Sequence, residues 1–512
     1  MGLNRRDLLR GAAAAGALGV AWPLSSRLTV AQAEEAAHQL GVRWDDGPFT
    51  LGVASGDPVA DGVVLWTRLA PQPLAEEQPL PDTVQVDWTV AADRDFRRVV
   101  SSGSVAATAA RGHSVHVPLR GLEPGLRYYY RFTALGRTSR TGRTRTAPDG
   151  RVTRVRFASA NCQAFHDGFY AAHRGIARED LDFVVHLGDY VYEHGKVGGN
   201  PVRDHEGPEV TTLPAYRRRH ALYKGDPSLR EAHAAHPWFL TWDDHEVVND
   251  YSGTSPSLRA RRDAAYQAWV EHMPVDAPNP LTPPVYKQRR WGNLLDLSIL
   301  DLRQFRSAQN LPDGTILGAE QKAWLKQRVD QAGDAWHCWV NSIMLSQLAR
   351  KGGGYYFTDQ WDGFLAERKE VLSHVHEAGM RDLVVITGDW HSAFVDDIRP
   401  DFDNPDSPVI GTEFTAHSVA SGAYSPEWNA TNGPVMGAAN PHLKYFEGNR
   451  YGYDVYEVNP RRWSTHMRVI GDRRDPRSPV STLTTFHVDR GRAGSWEDRA
   501  TADSPAQYRR RT

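Results

Sequence analysis

The sequence predicts an α/β catalytic domain preceded by an all-β domain. Between residues 45 and 148, apolar and polar residues alternate in short runs broken by Gly and Pro turns. Period-two alternation marks strands with one buried face. Between 152 and 490, short and nearly continuous apolar runs alternate with helical patterns. Such runs belong to a sheet covered on both faces. In this second region several apolar runs also end in clusters of Asp, His, Tyr, Cys or Asn. Ligands of open α/β sheets bind beyond the carboxyl ends of the strands, where such clusters would meet.

Residues 1–33 read as an export signal. Asn4-Arg5-Arg6-Asp7-Leu8-Leu9-Arg10 carries paired arginines, a mildly apolar Ala- and Gly-rich stretch follows, and Ala31-Gln32-Ala33 is a small-x-small cleavage site. Paired arginines with weak hydrophobicity fit the twin-arginine export machinery, which carries folded proteins to a secreted, periplasmic or cell-wall location. In the β-domain, Val84, Val86, Trp88 and Val90 form one alternating run, and Leu126, Tyr128, Tyr130 and Phe132 another. The turn Gly121-Leu122-Glu123-Pro124-Gly125 before Tyr128 resembles the corner of a fibronectin/Ig-like sandwich, where a Tyr hydroxyl bonds back to the backbone. No acid, base or nucleophile clusters here, so this is an accessory domain. The segment Thr141 to Arg151 is the linker.

Strands are expected at Val152–Ala158, Leu181–Leu187, Trp238–Trp242, Leu294–Leu302 and Leu383–Thr387, with helices near Pro256–Val270, Gly318–Ala332 and Gln360–Glu377. Residues 491–512, rich in Arg, Asp and Ser, read as a flexible tail. Sixty Lys and Arg against 62 Asp and Glu give a net charge of −2, which excludes a global pull toward nucleic acid. Beyond the N-terminus no apolar run reaches the length of a membrane span. Two cysteines, Cys162 and Cys338, are too few for a disulfide scaffold.

Four strands end in polar clusters: Ser159-Ala160-Asn161-Cys162-Gln163, Gly188-Asp189-Tyr190-Val191-Tyr192-Glu193, Trp242-Asp243-Asp244-His245-Glu246-Val247-Val248-Asn249-Asp250, and Gly388-Asp389-Trp390-His391-Ser392. Taken singly each has an ordinary reading. A Gly-Asp is a turn, Asp-Asp-His-Glu a helix start, and Cys162 a partner for Cys338. Taken together at strand ends they form a metal-ligand inventory.

The order of these clusters resembles the calcineurin-like metallophosphoesterases, and within them the alkaline phosphatase D family. Gly188-Asp189 matches the general pattern directly. Asn161-Cys162, Trp242-Asp243-Asp244-His245-Glu246 and Gly388-Asp389-Trp390-His391 are the variants of that branch, and Asn440-Pro441-His442-Leu443-Lys444-Tyr445-Phe446 also fits it. The resemblance covers nearly the whole mature length. It implies a four-layer αββα catalytic fold, a ferric ion with calcium beside it, and hydrolysis of phosphate esters. The family includes secreted enzymes described as phospholipase D.

The donor chemistry agrees. A Tyr hydroxyl, with a pKa of about 10, becomes a ligand at neutral pH only beside a strong Lewis acid. Thiolate and imidazole suit a transition metal, whereas carboxylates and amides suit calcium. Cys162, Asp189, Tyr192 and His391 are therefore expected on Fe3+, with Asp189 bridging, and Asp244, Asn249 and Asp389 on Ca2+. Tyr192 rather than Tyr190 is the expected phenolate. His245 either protonates the leaving alkoxide or hydrogen-bonds a ligand. Arg303 either clamps a phosphate oxygen or makes a surface salt bridge. Three functions compete: a phosphodiesterase or phosphomonoesterase, a phospholipase D working through the same metals, and a binding protein with structural metals. The mixed, water-accessible ligand set argues against the last.

Overall fold

The computed structural model describes residues 47–196, 201–205, 207–422, 424–499 and 506–510. The expected export signal at 1–33 lies outside these residues.

Two mixed sheets face each other. In the ten-stranded sheet, strands Val155–Ala160, Phe183–His186, Pro237–Leu240 and Val53–Val59 run parallel at the centre. In the eight-stranded sheet, Leu295–Ile299, Trp336–Asn341, Leu383–Thr387 and Gly411–Thr415 do the same. Antiparallel strands extend both. Alternation along the strands explains the layering. Phe157, Phe183 and Val185 of one sheet meet Leu297, Cys338, Val340, Val384 and Ile386 of the other in a shared core. The intervening residues point outward. Ala158, Val184, Trp238 and Leu240 pack beneath helices Ala171–Arg178, Leu213–Lys224, Pro227–Ala235 and Arg259–His272. On the far side Trp339, Leu383 and Val385 pack beneath Gly318–Asp330 and Leu365–Glu377. Helix, sheet, sheet and helix thus form four layers, and both faces of each parallel core are buried.

Two expectations change. The N-terminal β-region does not close on itself as a separate sandwich. Its strands Val53–Val59, Gly62–Arg68 and Ser114–Leu119 form one edge of the ten-stranded sheet. Its other strands, Thr83–Ala91, Val99–Thr108, Arg127–Ala134, Arg137–Thr138 and Gly142–Arg145, make a five-stranded sheet. That sheet packs on the edge through Val84, Val86, Tyr130 and Phe132 against Val53, Val63, Leu65 and Val117. Alternation reports a buried face but not which sheet covers it. The corner itself is present, since the Tyr128 hydroxyl bonds the backbone N–H of Glu123 at 3.0 Å. The C-terminal segment is also not a free tail throughout. Trp496–Glu497 pairs with Val480–Asp489, and Tyr508–Arg509 pairs with Leu443–Glu447. Each strand is only two residues long, too short to show as periodicity.

Candidate metal centre

The polar clusters meet where the carboxyl ends of both parallel cores converge. The turn after Phe183–His186 needs glycine. Gly188 has φ +112°, and a Cβ there would lie 2.6 Å from Asp243 Cβ and 2.8 Å from Asp243 N. Past the strand ends the backbone is bent hard. Cys162 (φ 48°), Asp189 (55°), Asp389 (68°) and His391 (54°) all occupy the left-handed region. Such residues cost of order 1–3 kcal/mol each and persist where surrounding structure holds them. Here the hold is visible. Cys162 N–H donates to Gly188 O at 3.2 Å and Gln163 N–H to Asp189 O at 3.1 Å. The Glu246 carboxylate accepts from the backbone of Tyr190 (2.8 Å), Asp243 (3.0 Å) and Asp189 (3.2 Å).

Around one point the side chains of Cys162, Asp189, Tyr192 and His391 converge. Asp189 Oδ2 is 3.4 Å from Cys162 Sγ and 3.0 Å from the Tyr192 hydroxyl, which is 3.1 Å from His391 Nε2. His391 Nδ1 is taken by Gly422 O at 2.8 Å, which turns Nε2 inward. Tyr190 goes the other way, its hydroxyl 2.8 Å from His233 Nε2. Beside this group, donor oxygens of Asp189, Asp243, Asp244 and Asp389 lie within 4.8 Å of one another. Asn249 and Asp389 line the adjoining cleft, an open cavity of about 370 Å³. His245 lines it too. Its Nδ1 is 2.7 Å from Glu193 Oε2, and its ring stacks on Tyr192 at 4.1 Å.

The electrostatics fit a bound cation. Burial pushes the Asp189 carboxyl well above its usual range, with Asp244 and Asp243 adding repulsion. Burial does the same to Asp389, reinforced by Asp243 and Asp244. The Cys162 thiol and Tyr192 phenol are raised by burial and by Asp189. Burial lowers His391 to about 4, so its imidazole is neutral and can offer a lone pair. A set of acids that cannot ionise together, beside a neutral imidazole, is a donor set for metal. Asp244 differs. Burial opposes its ionisation, but Arg303 and His245 outweigh this and hold it low. His245 is likewise held protonated: burial opposes this, and Asp244, Asp189 and Glu193 outweigh it.

Arg303 is not a surface residue and does not line the cleft. It is fully buried, with Nε on Asp243 Oδ1 at 2.6 Å and its two terminal nitrogens on Asp359 at 2.8 and 3.2 Å. Arg306 also bonds Asp359. The guanidinium therefore neutralises the carboxylates beneath the centre. Cys162 and Cys338 are both free. Cys338 lies in the inter-sheet core.

Several contributors were not assigned from sequence. Glu193, Asp243 and Glu246 stood inside the quoted clusters, but residue type alone does not separate a ligand from its support. Asp359 and Gln360, which bonds Asp389 Oδ2, come from an irregular segment with no strand before them and carried no signal.

A four-layer fold with this donor set at its strand ends is that of a metallophosphatase. The chain matches the PhoD-like phosphatase family model over residues 157–467 and the model of that family's N-terminal domain over 33–148. It belongs to the PhoD-like phosphatase family. It is 38% identical to alkaline phosphatase D of Bacillus subtilis (strain 168), over 96% of this chain and 88% of the relative. Among solved structures it is similar to PhoD, with a TM-score of 0.84, 37% identity, and coverage of 89% of this chain and 93% of that one. A purple acid phosphatase from yellow lupin seeds shares the fold at a TM-score of 0.56 and 10% identity, covering 86% of this chain and 74% of that one. The protein is a hydrolase of phosphoric esters that depends on metal. Among the described residues, no helix is long and apolar enough to cross a membrane.

Proposed function

We propose that this hydrolase cleaves phosphodiesters at least as well as monoesters, through a ferric ion held by Cys162, Asp189, Tyr192 and His391 and calcium held by Asp244, Asn249 and Asp389. The convergence of a thiol, a phenol, a carboxylate and an imidazole on one point carries the iron assignment, because only a strong Lewis acid takes phenolate and thiolate together. Bound there, the cations supply charge neutralisation of the phosphoryl oxygens and acidify water for attack on phosphorus. The protein's own groups do the rest. Glu193 fixes His245 by Nδ1, and Nε2 carries the proton to the departing alkoxide. Asp244, kept ionised by Arg303 and His245, offers calcium a permanent negative charge.

The diester preference follows from the lining. Among the described residues no Lys or Arg borders the cleft, and Arg303 and Arg306 are committed to Asp243 and Asp359. A dianionic monoester needs more positive charge than a monoanionic diester. Phospholipid head-group bonds are diesters of this kind, so a phospholipase D activity falls within this reading. The kcat/KM values for bis(p-nitrophenyl) phosphate and p-nitrophenyl phosphate, with and without a calcium chelator, test it. The diester should be at least equal, and chelation should remove most activity. A strong monoester preference that survives chelation would overturn the reading. Export through the twin-arginine route belongs to the same proposal. Replacing Arg5 and Arg6 with Lys should retain the precursor in the cytoplasm, and normal secretion of that variant would count against the route.

A further inference from the structure

The wall of the cleft opposite the acidic residues is aromatic. Phe357, Trp390 and Tyr424 line it. Phe357 and Tyr424 are 41% and 38% exposed, unusual for large apolar rings on a soluble surface. Their rings lie within 17° of parallel, with centroids 6.5 Å apart. Trp428 stacks on Tyr424 at 4.1 Å and 21°. Trp390 packs edge-on to Phe357 at 4.9 Å and 62°. Each exposed ring is thus braced by a tryptophan.

The position of this wall is tied to the metal centre through the chain. Trp390 stands between Asp389 and His391. Phe357 precedes Asp359 and Gln360, which hold Arg303 and Asp389. Tyr424 follows Gly422, whose carbonyl orients His391. A group bound at the wall is therefore held at a set distance from the phosphorus.

We propose that Phe357 and Tyr424 form a slot for the planar ring of a phosphodiester's organic group, a nucleobase being the fitting chemistry; this rests on the phosphodiesterase reading above. Carbon-to-carbon contact on both faces of an inserted ring needs roughly 7 Å in all, so these two near-parallel rings, with centroids 6.5 Å apart, must part to admit one. Every base has a π-face, and stacking of this kind tolerates sequence. A quaternary ammonium group also binds aromatic faces, whereas two near-parallel rings match the flat shape of a base.

The test compares esters with the same scissile bond. These are the methyl ester of adenosine 5′-phosphate, the methyl ester of ribose 5-phosphate, and the methyl ester of phosphocholine. The adenosine ester should have a kcat/KM about tenfold above the ribose ester, carried by KM. That ratio should fall to near one in Tyr424→Ala and be retained in Tyr424→Phe. Equal rates on the two esters, a ratio unmoved by Tyr424→Ala, or a choline ester favoured over the adenosine ester would each overturn the slot. If no ester is cleaved, the phosphodiesterase reading fails instead, and calorimetry with adenosine and ribose then decides the slot. Adenosine binding lost in Tyr424→Ala upholds it, and equal weak binding of both overturns it.

Discussion

Tyr192→Phe should bleach the purified enzyme and lower kcat by about 10²-fold or more, whereas Tyr190→Phe should leave the colour in place. Both hydroxyls are buried in the same turn, yet their partners differ. The Tyr192 oxygen sits among Asp189, His391 and Ser421, the last at 2.8 Å. The Tyr190 oxygen bonds His233 instead. Phenolate-to-ferric charge transfer absorbs visible light, so colour reports the phenolate directly. Loss of groups that merely support a metal ligand costs about 10–100-fold, and loss of a ligand itself should cost no less. The measurements are the visible spectrum, iron content and kcat for the two variants side by side. A colourless wild-type enzyme that is fully active with zinc alone would refute the ferric assignment. Bleaching by Tyr190→Phe would move the ligand two residues along the turn.

The site was legible in the sequence because strand ends are. Cys162, Asp189, Asp244 and Asp389 each follow a short apolar run within a few residues, and parallel strands bring such ends to one edge. Hydrophobic runs thus pointed to which candidate residues meet, while the family resemblance suggested their roles. The same logic could not reach Asp359, which no strand precedes, or tell Asp243 from Asp244. Those two neighbours face the same arginine with opposite outcomes. Burial raises Asp243 to about 6 despite Arg303, while Asp244 is held low by Arg303 and His245. Only packing decides which carboxylate is free to bind a cation. The layering of the catalytic domain was legible from Val184 and Val385, whose strands are apolar on both faces. The continuation of the ten-stranded sheet into the N-terminal region was not. Val53–Val59 carries Gly56, Asp57 and Pro58 and shows no alternation, and its pairing with Pro237–Leu240 spans too much sequence for a local pattern to carry.

Arg303→Met should destabilise the protein by about 3–5 kcal/mol and leave KM for a phosphodiester nearly unchanged in whatever enzyme remains folded. Buried ion pairs contribute little net stability when formed, because both charges lose water. Removing one partner is costly, because the other stays buried and unpaired. Arg303 serves two carboxylates at once, Asp243 at 2.6 Å and Asp359 at 2.8 Å, with no exposure to solvent. Its loss would strand both, leaving Asp359 to Arg306 alone. Asp244, 3.8 Å away, would lose a nearby positive charge as well. Arg303→Lys should recover only part of the loss, since a single ammonium cannot span the two acids as the planar fork does. Thermal inactivation rates and apparent Tm, read beside KM and kcat, separate the two roles open to this residue. Early inactivation with unchanged KM fits a counter-ion beneath the centre. An unchanged Tm with a steep rise in KM would instead make Arg303 a phosphate clamp, and would require the Asp243 and Asp359 contacts to break when substrate arrives.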